Sequence, residues 1–77
     1  MRHREFWDLV EEVLGSAQGR ELVRTLVVGS LGGRTPQQAL DAGVEPREVW
    51  HAMCDELDVP EAQRWGLDPY RQAPPRR

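Results

Sequence analysis

The chain has 77 residues, of which 39% are hydrophobic and 30% are charged, a balance that is typical of one small soluble globular domain. No purely apolar run exceeds three residues, so the sequence holds nothing that could cross a bilayer. Acids stand near the start, where a signal peptide would be apolar, and the single cysteine, Cys54, has no partner for an internal disulfide. We therefore expect a cytoplasmic protein that is stabilised by packing and does not associate with membranes.

Charge is unevenly distributed along the chain. Residues 1–40 contain five Arg and five acidic residues, whereas residues 41–70 contain eight acidic residues and two Arg. Residues 71–77 add three Arg, and the whole chain has a net charge of -3. The second half therefore predicts a negatively charged surface.

Apolar residues at helical spacing predict two helices in the first half. The first covers residues 4–14 and ends at Gly15, because glycine accepts the left-handed conformation of many helix C-terminal caps. Ser16 is the expected N-cap of a second helix that runs to about Leu31.

The aromatic pair Phe6 and Trp7 lies within the first predicted helix. One interpretation places both rings in the core. The alternative leaves one ring exposed as a contact for a partner, since aromatic residues are enriched at interfaces.

Residues 34–60 carry the most specific local signals. Thr35, with Gln38 three positions later, predicts a capping box at the start of a short helix. Gly43 predicts the turn that ends this helix, and Pro46 suits the first position of the next one.

The predicted fold class is all-α, a compact bundle of about four short helices with a helix-turn-helix-like corner from Thr35 to Leu57. Residues 1–66 form the single predicted domain, and Trp65 is expected to fold back over its core. Residues 67–77 contain Pro and Arg without periodicity, which predicts a flexible C-terminal tail. A short proline-rich ligand or basic arm is the alternative for this tail.

The corner raises DNA binding as an alternative function. Ala39, Gly43 and Val49 match the small residue, the turn glycine and the β-branched residue of a helix-turn-helix. The exposed positions early in its second helix would be Glu45, Arg47, Glu48 and His51. Only Arg47 suits contact with a base edge or a phosphate, and the carboxylates repel the DNA backbone. DNA binding is therefore disfavoured by charge.

Residues suited to catalysis or metal binding are few. His51, Cys54 and Asp55 could share one helix face, with spacing that suits a metal ligand set or a His-activated thiolate. Zinc needs three or four ligands, and the remaining histidine is His3. The alternative is a partly buried Cys54 beside a solvated His51–Asp55 pair. We predict no enzymatic activity, no metal site and no cofactor.

The most specific blocks are LGGRT at residues 31–35, AL at 39–40, GV at 43–44, PREVW at 46–50, and Cys54 with DVP at 58–60. On these blocks, and over residues 1–65, the chain resembles the actinobacterial family called domain of unknown function 3046. The resemblance implies a small intracellular helical protein with no assigned activity and no known catalytic or binding residues. Some members of that family are encoded beside the recombinase and its regulator. That neighbourhood suggests a DNA-repair context but assigns no role to a residue.

We expect a non-enzymatic helical module that binds another protein or regulates one. The chain has three Trp in 77 residues, and Trp and Arg dominate the hot spots of interfaces. The predicted contact surface consists of Arg34, Arg47, Trp50 and His51. The alternative places Trp50 in the core and Arg47 in pairs with neighbouring acids. The sequence predicts no particular partner or oligomeric state.

Overall fold

Helices occupy most of residues 1–64, the part of the chain that this computed structural model describes. The helices are α1 (His3–Leu9), continued by a π-helical turn (Val10–Leu14), then α2 (Ser16–Thr25), α3 (Pro36–Asp41) and α4 (Pro46–Glu56), with 3-10 turns at Gly29–Leu31 and Glu61–Gln63. The predicted all-α fold with four helices is confirmed for these residues. The predicted domain end at residue 66, the tail at 67–77 and the position of Trp65 lie outside the described residues.

The first helix ends where the sequence predicts. Gly15 leaves the helix with φ +90°, a backbone conformation that glycine adopts without strain. Ser16, by contrast, is not an N-cap: Gly15 holds that position, Ser16 is the first helical residue, and no side chain caps the helix. An N-cap at Ser16 would start the helix at the following residue, so helix α2 begins one residue earlier than predicted.

The second helix is shorter than predicted, and its expected end near Leu31 is wrong. Helix α2 ends at Thr25, and Leu26 is extended. The next residues are two β-branched valines and Gly29, which are weak helix formers. Val28 instead donates its N–H to the Arg34 carbonyl oxygen at 3.0 Å, in an isolated antiparallel bridge. This bridge closes a loop whose tip is the 3-10 turn Gly29–Leu31.

Helix α3 begins with the predicted capping box. The Thr35 hydroxyl accepts from the Gln38 N–H at 3.2 Å, and the Gln38 side-chain oxygen accepts from the Thr35 N–H at 3.0 Å. Pro36 and Pro46 occupy first positions of α3 and α4, where the missing N–H needs no intrahelical partner. These local signals fix where the corner starts and where it turns.

Helices α3 and α4 end in the same hydrogen-bond pattern, the Schellman motif. In α3, Val44 donates its N–H to the Ala39 carbonyl oxygen at 3.0 Å, and Gly43, which precedes Val44, has φ +93°. In α4, Val59 donates to the Cys54 carbonyl oxygen at 2.9 Å, and Asp58 has φ +56°. The left-handed residue that ends α4 is therefore an aspartate rather than a glycine.

The core lies where α1, α2, α3 and α4 meet. Helix α2 packs against the π-helical turn and α3, while α4 packs against α1 and α3. The Phe6 and Trp50 rings, both fully buried, meet edge to face with centroids 6.2 Å apart. The buried core cluster consists of Phe6, Leu9, Val10, Val23, Ala39, Leu40, Val49, Trp50, Met53 and Cys54.

Candidate interaction surface on helix α4

The structure separates the four residues predicted to form a contact surface. Trp50 is 0% exposed, so its predicted place on the surface is wrong: its indole fills the core against Phe6. His51, also expected to be exposed, is buried at 7% exposure because Arg64 contacts it. Arg64 directly follows the 3-10 turn Glu61–Gln63, and we call residues 61–64 the C-terminal turn. Arg47 is half-buried and Arg34 is exposed.

Arg47 and His51 line a pocket on α4, which we name the α4 pocket. Its volume is about 580 Å³, within the range of ligand pockets in proteins. Its lining residues are Ser30, Leu31, Arg47, Glu48, His51, Ala52 and Asp55. Ser30 and Leu31 come from the loop that the Val28–Arg34 bridge closes, whereas Arg34 itself is not among the lining residues. The pocket therefore joins two elements, the 3-10 turn and α4.

Arg64, which the sequence analysis did not single out, holds the C-terminal turn against α4. Its side chain is 6% exposed, and its Nη2 lies 2.8 Å from Asp55 Oδ1. Its Nε–H donates to the Val59 carbonyl oxygen at 2.9 Å, and its own carbonyl oxygen accepts from Trp50 Nε1–H at 2.9 Å. A buried guanidinium is stable only when paired and hydrogen-bonded, and Arg64 meets both conditions.

The same guanidinium orients His51. Arg64 Nη1 lies 3.4 Å from His51 Nδ1. Guanidinium N–H groups donate only, so this contact uses Nδ1 as an acceptor. The α4 pocket contains Ser30, His51 and Asp55, the residue types of a hydrolase triad. In such a triad Nδ1 carries a proton that it donates to the carboxylate, whereas here Nδ1 faces a cation.

The second predicted chemical cluster, His51 with Cys54 and Asp55, is divided by burial. Cys54 is 0% exposed and belongs to the core, while Asp55 is exposed beside Arg64. Within residues 1–64, no group of three or more His, Cys, Asp or Glu side chains is arranged to hold a metal ion. The side chain of His51 is buried rather than solvated, so that part of the alternative interpretation is wrong.

The segment of the chain that contains α4 is acidic. Between residues 41 and 64, seven carboxylates are exposed: Asp41, Glu45, Glu48, Asp55, Glu56, Asp58 and Glu61. The two Arg in this segment are Arg47, which is half-buried, and Arg64, which is buried. Any partner that covers this surface is favoured by positive charge.

The helix-turn-helix-like corner is well packed. Ala39 and Val49 are 0% exposed where α3 and α4 cross, and Gly43 turns the chain between them. The outer side of α4 presents Glu45 and Glu48, which are exposed. The corner thus buries Ala39 and Val49 and has an acidic outer side.

Fold and site together define a small all-α domain with a polar surface pocket. No helix in residues 1–64 is both long and apolar enough to traverse a lipid bilayer. The chain belongs to the family described as protein of unknown function DUF3046, whose model matches residues 1–62. Comparison with curated proteins and with solved structures gave no match.

Two features of this site could not be predicted from the sequence. Ser30 and Leu31 line the pocket because α2 ends at Thr25, whereas a longer helix was expected. Arg64 lies in a polar stretch, and no local pattern indicates that its side chain is buried. The one available signal was the position of Arg64 beside Val59 and Pro60, where the chain turns back after α4.

Proposed function

We propose that this chain is a non-enzymatic, cytoplasmic module that binds a positively charged protein surface at the α4 pocket. The observation that carries the proposal is the pocket of about 580 Å³ between the 3-10 turn Gly29–Leu31 and α4, in a domain whose residues 41–64 expose seven carboxylates. Polar side chains surround a small apolar area contributed by Leu31 and Ala52. That composition suits recognition of a partner side chain rather than a deeply enclosed substrate.

Charge decides which partner fits. Glu48 and Asp55 line the pocket, and five further carboxylates are exposed between residues 41 and 64. A basic partner is steered toward such a surface, whereas an acidic partner or nucleic acid is repelled. Arg47 adds a donor that can select the register of a bound carbonyl or carboxylate.

The orientation of His51 supports a binding role over catalysis. Its Nδ1 faces the Arg64 guanidinium at 3.4 Å, whereas in a Ser-His-Asp triad Nδ1 donates to a carboxylate. The reduced state of a lone, buried Cys54 fits a cytoplasmic protein. A regulatory role in DNA repair rests on family resemblance alone and requires that the partner be identified.

The proposal is tested by cross-linking the full-length chain to its partners in native cytosol treated with nuclease. Glu48→Lys and Arg47→Ala are the test variants, Arg34→Ala tests the neighbouring loop, and Arg2→Ala is an exposed control at the start of α1. We expect partners with basic surfaces that bind wild type and Arg2→Ala, and that are lost with Glu48→Lys. Identical partner profiles for all of the variants would overturn the assignment of this surface.

DNA binding stays the second candidate because the sequence of the α3–α4 corner has the residue spacing of a helix-turn-helix. Ala39 and Val49 are buried at the crossing, and Arg47 lies at the start of α4. The exposed carboxylates oppose this function, since phosphate attraction supplies most of the affinity of such proteins. A titration with duplex DNA at low salt distinguishes the two candidates.

A further inference from the structure

A second surface pocket lies on the other half of the domain, and we name it the Trp7 pocket. Its volume is about 610 Å³. It is lined by Trp7, Ala17, Arg20, Glu21, Arg24 and Gln37, which come from α1, α2 and α3. None of these residues lines the α4 pocket.

We propose that the Trp7 pocket binds an extended segment of a partner protein that carries an apolar side chain next to a carboxylate. Trp7 supplies the apolar surface of this pocket. Its ring is half-buried and meets the fully buried Phe6 ring edge to face, with centroids 5.4 Å apart and planes at 85°. Phe6 in turn packs on Trp50 in the core. The exposed part of the indole is therefore held in place before a ligand arrives, which lowers the entropy cost of binding.

Two exposed ion pairs form the rim of the Trp7 pocket. Arg20 Nη2 lies 2.8 Å from Glu11 Oε1, and Arg24 Nη2 lies 2.7 Å from Glu21 Oε2. Both guanidinium groups are largely exposed, with side-chain exposures of 67% and 69%. Each guanidinium has five N–H donors in a planar fork, and one carboxylate contact leaves further donors available. A carboxylate from a partner can therefore bind beside Trp7 with charge-assisted hydrogen bonds.

The Trp7 pocket is less acidic than the segment that contains α4. Its lining holds Arg20, Arg24 and Glu21, and Glu11, which pairs with Arg20, lies at its rim. Arg4, exposed on α1, precedes Trp7 by three residues and so lies on the same side of that helix. A segment with an acidic residue complements this arrangement, and a lysine-rich or arginine-rich segment does not. Trp and Arg are also the residue types that contribute most to interface hot spots.

The first test is a selection of random displayed hexapeptides on the full-length chain. We expect enrichment of peptides that place Asp or Glu within two positions of a large apolar residue. Arg20→Glu and Arg24→Glu are expected to weaken the best of these peptides about tenfold or more, because they replace attraction with repulsion. Arg47→Glu, in the α4 pocket, is the matched control and is expected to leave the affinity unchanged.

The second test locates the bound peptide by two-dimensional NMR of the labelled full-length chain. Saturable shifts are expected at the Trp7 indole N–H and at the amides of α2. Failure to enrich peptides that join an acidic and a large apolar residue, or affinity that is equal in wild type and Arg24→Glu, would overturn the proposal. Because the Glu48→Lys variant alters only the other pocket, loss of partners at α4 and loss of peptides at Trp7 are separately observable.

Discussion

Trp50 and Arg64 are joined by a hydrogen bond in which the buried indole Nε1–H donates to the Arg64 carbonyl oxygen at 2.9 Å. The Arg64 side chain returns to α4 through its contact with Asp55. Arg64 thus attaches the C-terminal turn to α4 twice: its backbone carbonyl oxygen accepts a hydrogen bond, and its guanidinium group donates one. Because both contacts involve buried groups, they contribute more to stability than their number suggests.

The ion pairs of Arg64 and Arg20 have the same length but differ in burial, so variants of the two pairs test how burial affects their contribution to stability. Arg64–Asp55 and Arg20–Glu11 both measure 2.8 Å, but the two Arg side chains are 6% and 67% exposed. Asp55→Asn leaves a buried guanidinium without its nearest carboxylate, and we expect a loss of about 1–2 kcal/mol, moderated by the 48% exposure of Asp55.

Glu11→Gln is the matched control for this ion pair, with an expected change of about 0–0.5 kcal/mol since both partners are solvated. The free energy of unfolding is measured by urea denaturation for both variants. Equal losses in Asp55→Asn and Glu11→Gln would show that burial of Arg64 does not strengthen its pair.

The two Schellman motifs predict opposite effects of substitution at their left-handed residues. Asp58 adopts φ +56°, a conformation that costs a residue with a side chain about 1–2 kcal/mol, less for Asp than for most. Asp58→Gly relieves this strain but gives the unfolded chain about 0.4–1 kcal/mol of extra entropy. The expected net result is stabilisation of about 0.5–1 kcal/mol.

Gly43→Asp is the reciprocal variant. Nothing lies within 4 Å of a Cβ built at Gly43, so the cost there is backbone strain at φ +93° and not a clash. We expect a loss of about 1–2 kcal/mol in urea denaturation. Stabilisation by Gly43→Asp, or destabilisation by Asp58→Gly, would contradict the strain argument.

Gly19 marks the closest approach between α2 and the π-helical turn. A Cβ at this position would lie 2.6 Å from Val10 Cγ1 and 2.8 Å from the Val10 carbonyl oxygen. Gly19→Ala gains about 1 kcal/mol of helix propensity but introduces overpacking that costs about 1–3 kcal/mol. The backbone oxygen cannot rotate away as a side chain can, so we expect net destabilisation of about 1–2 kcal/mol.

Gly29→Ala is the control for Gly19→Ala, since its Cβ would meet nothing within 4 Å. We expect a change of less than about 0.5 kcal/mol for this variant. Thermal unfolding monitored by far-UV circular dichroism compares the two. A Gly19→Ala protein as stable as the wild type would mean that α2 and the π-helical turn can move apart without loss of stability.

The accuracy of the sequence analysis depends on how local each signal is. The capping box of Thr35 and Gln38 and the turn at Gly43 involve atoms within a few residues, and local chemistry specifies them. The burial of His51 and Arg64 depends on residues thirteen apart meeting across α4, which no periodicity reveals. Trp50 was ambiguous for a related reason, because its type is equally common in cores and at interfaces.

The end of α2 shows a second limit of the sequence analysis. Residues 22–31 have apolar spacing that suits a helix, yet the Val28–Arg34 bridge offers the backbone a different set of hydrogen bonds. Weak helix propensity at the two valines and Gly29 lets the bridge prevail. The α4 pocket depends on this same event, since it places Ser30 and Leu31 beside α4.

DNA binding provides the decisive comparison between the two functions considered for the α3–α4 corner. At about 50 mM salt, where phosphate attraction is strong, we expect that the wild type shows no Arg47-dependent binding to mixed-sequence duplex DNA. Fluorescence anisotropy of labelled DNA is measured with wild type, Arg47→Ala and the charge-reversed double variant Glu45→Lys with Glu48→Lys. The double variant replaces two exposed carboxylates on the outer side of α4 and is expected to gain salt-dependent affinity. Saturable binding by the wild type that Arg47→Ala abolishes would instead favour the helix-turn-helix function, because the other nine Arg, three of them in residues 65–77, are identical in both proteins.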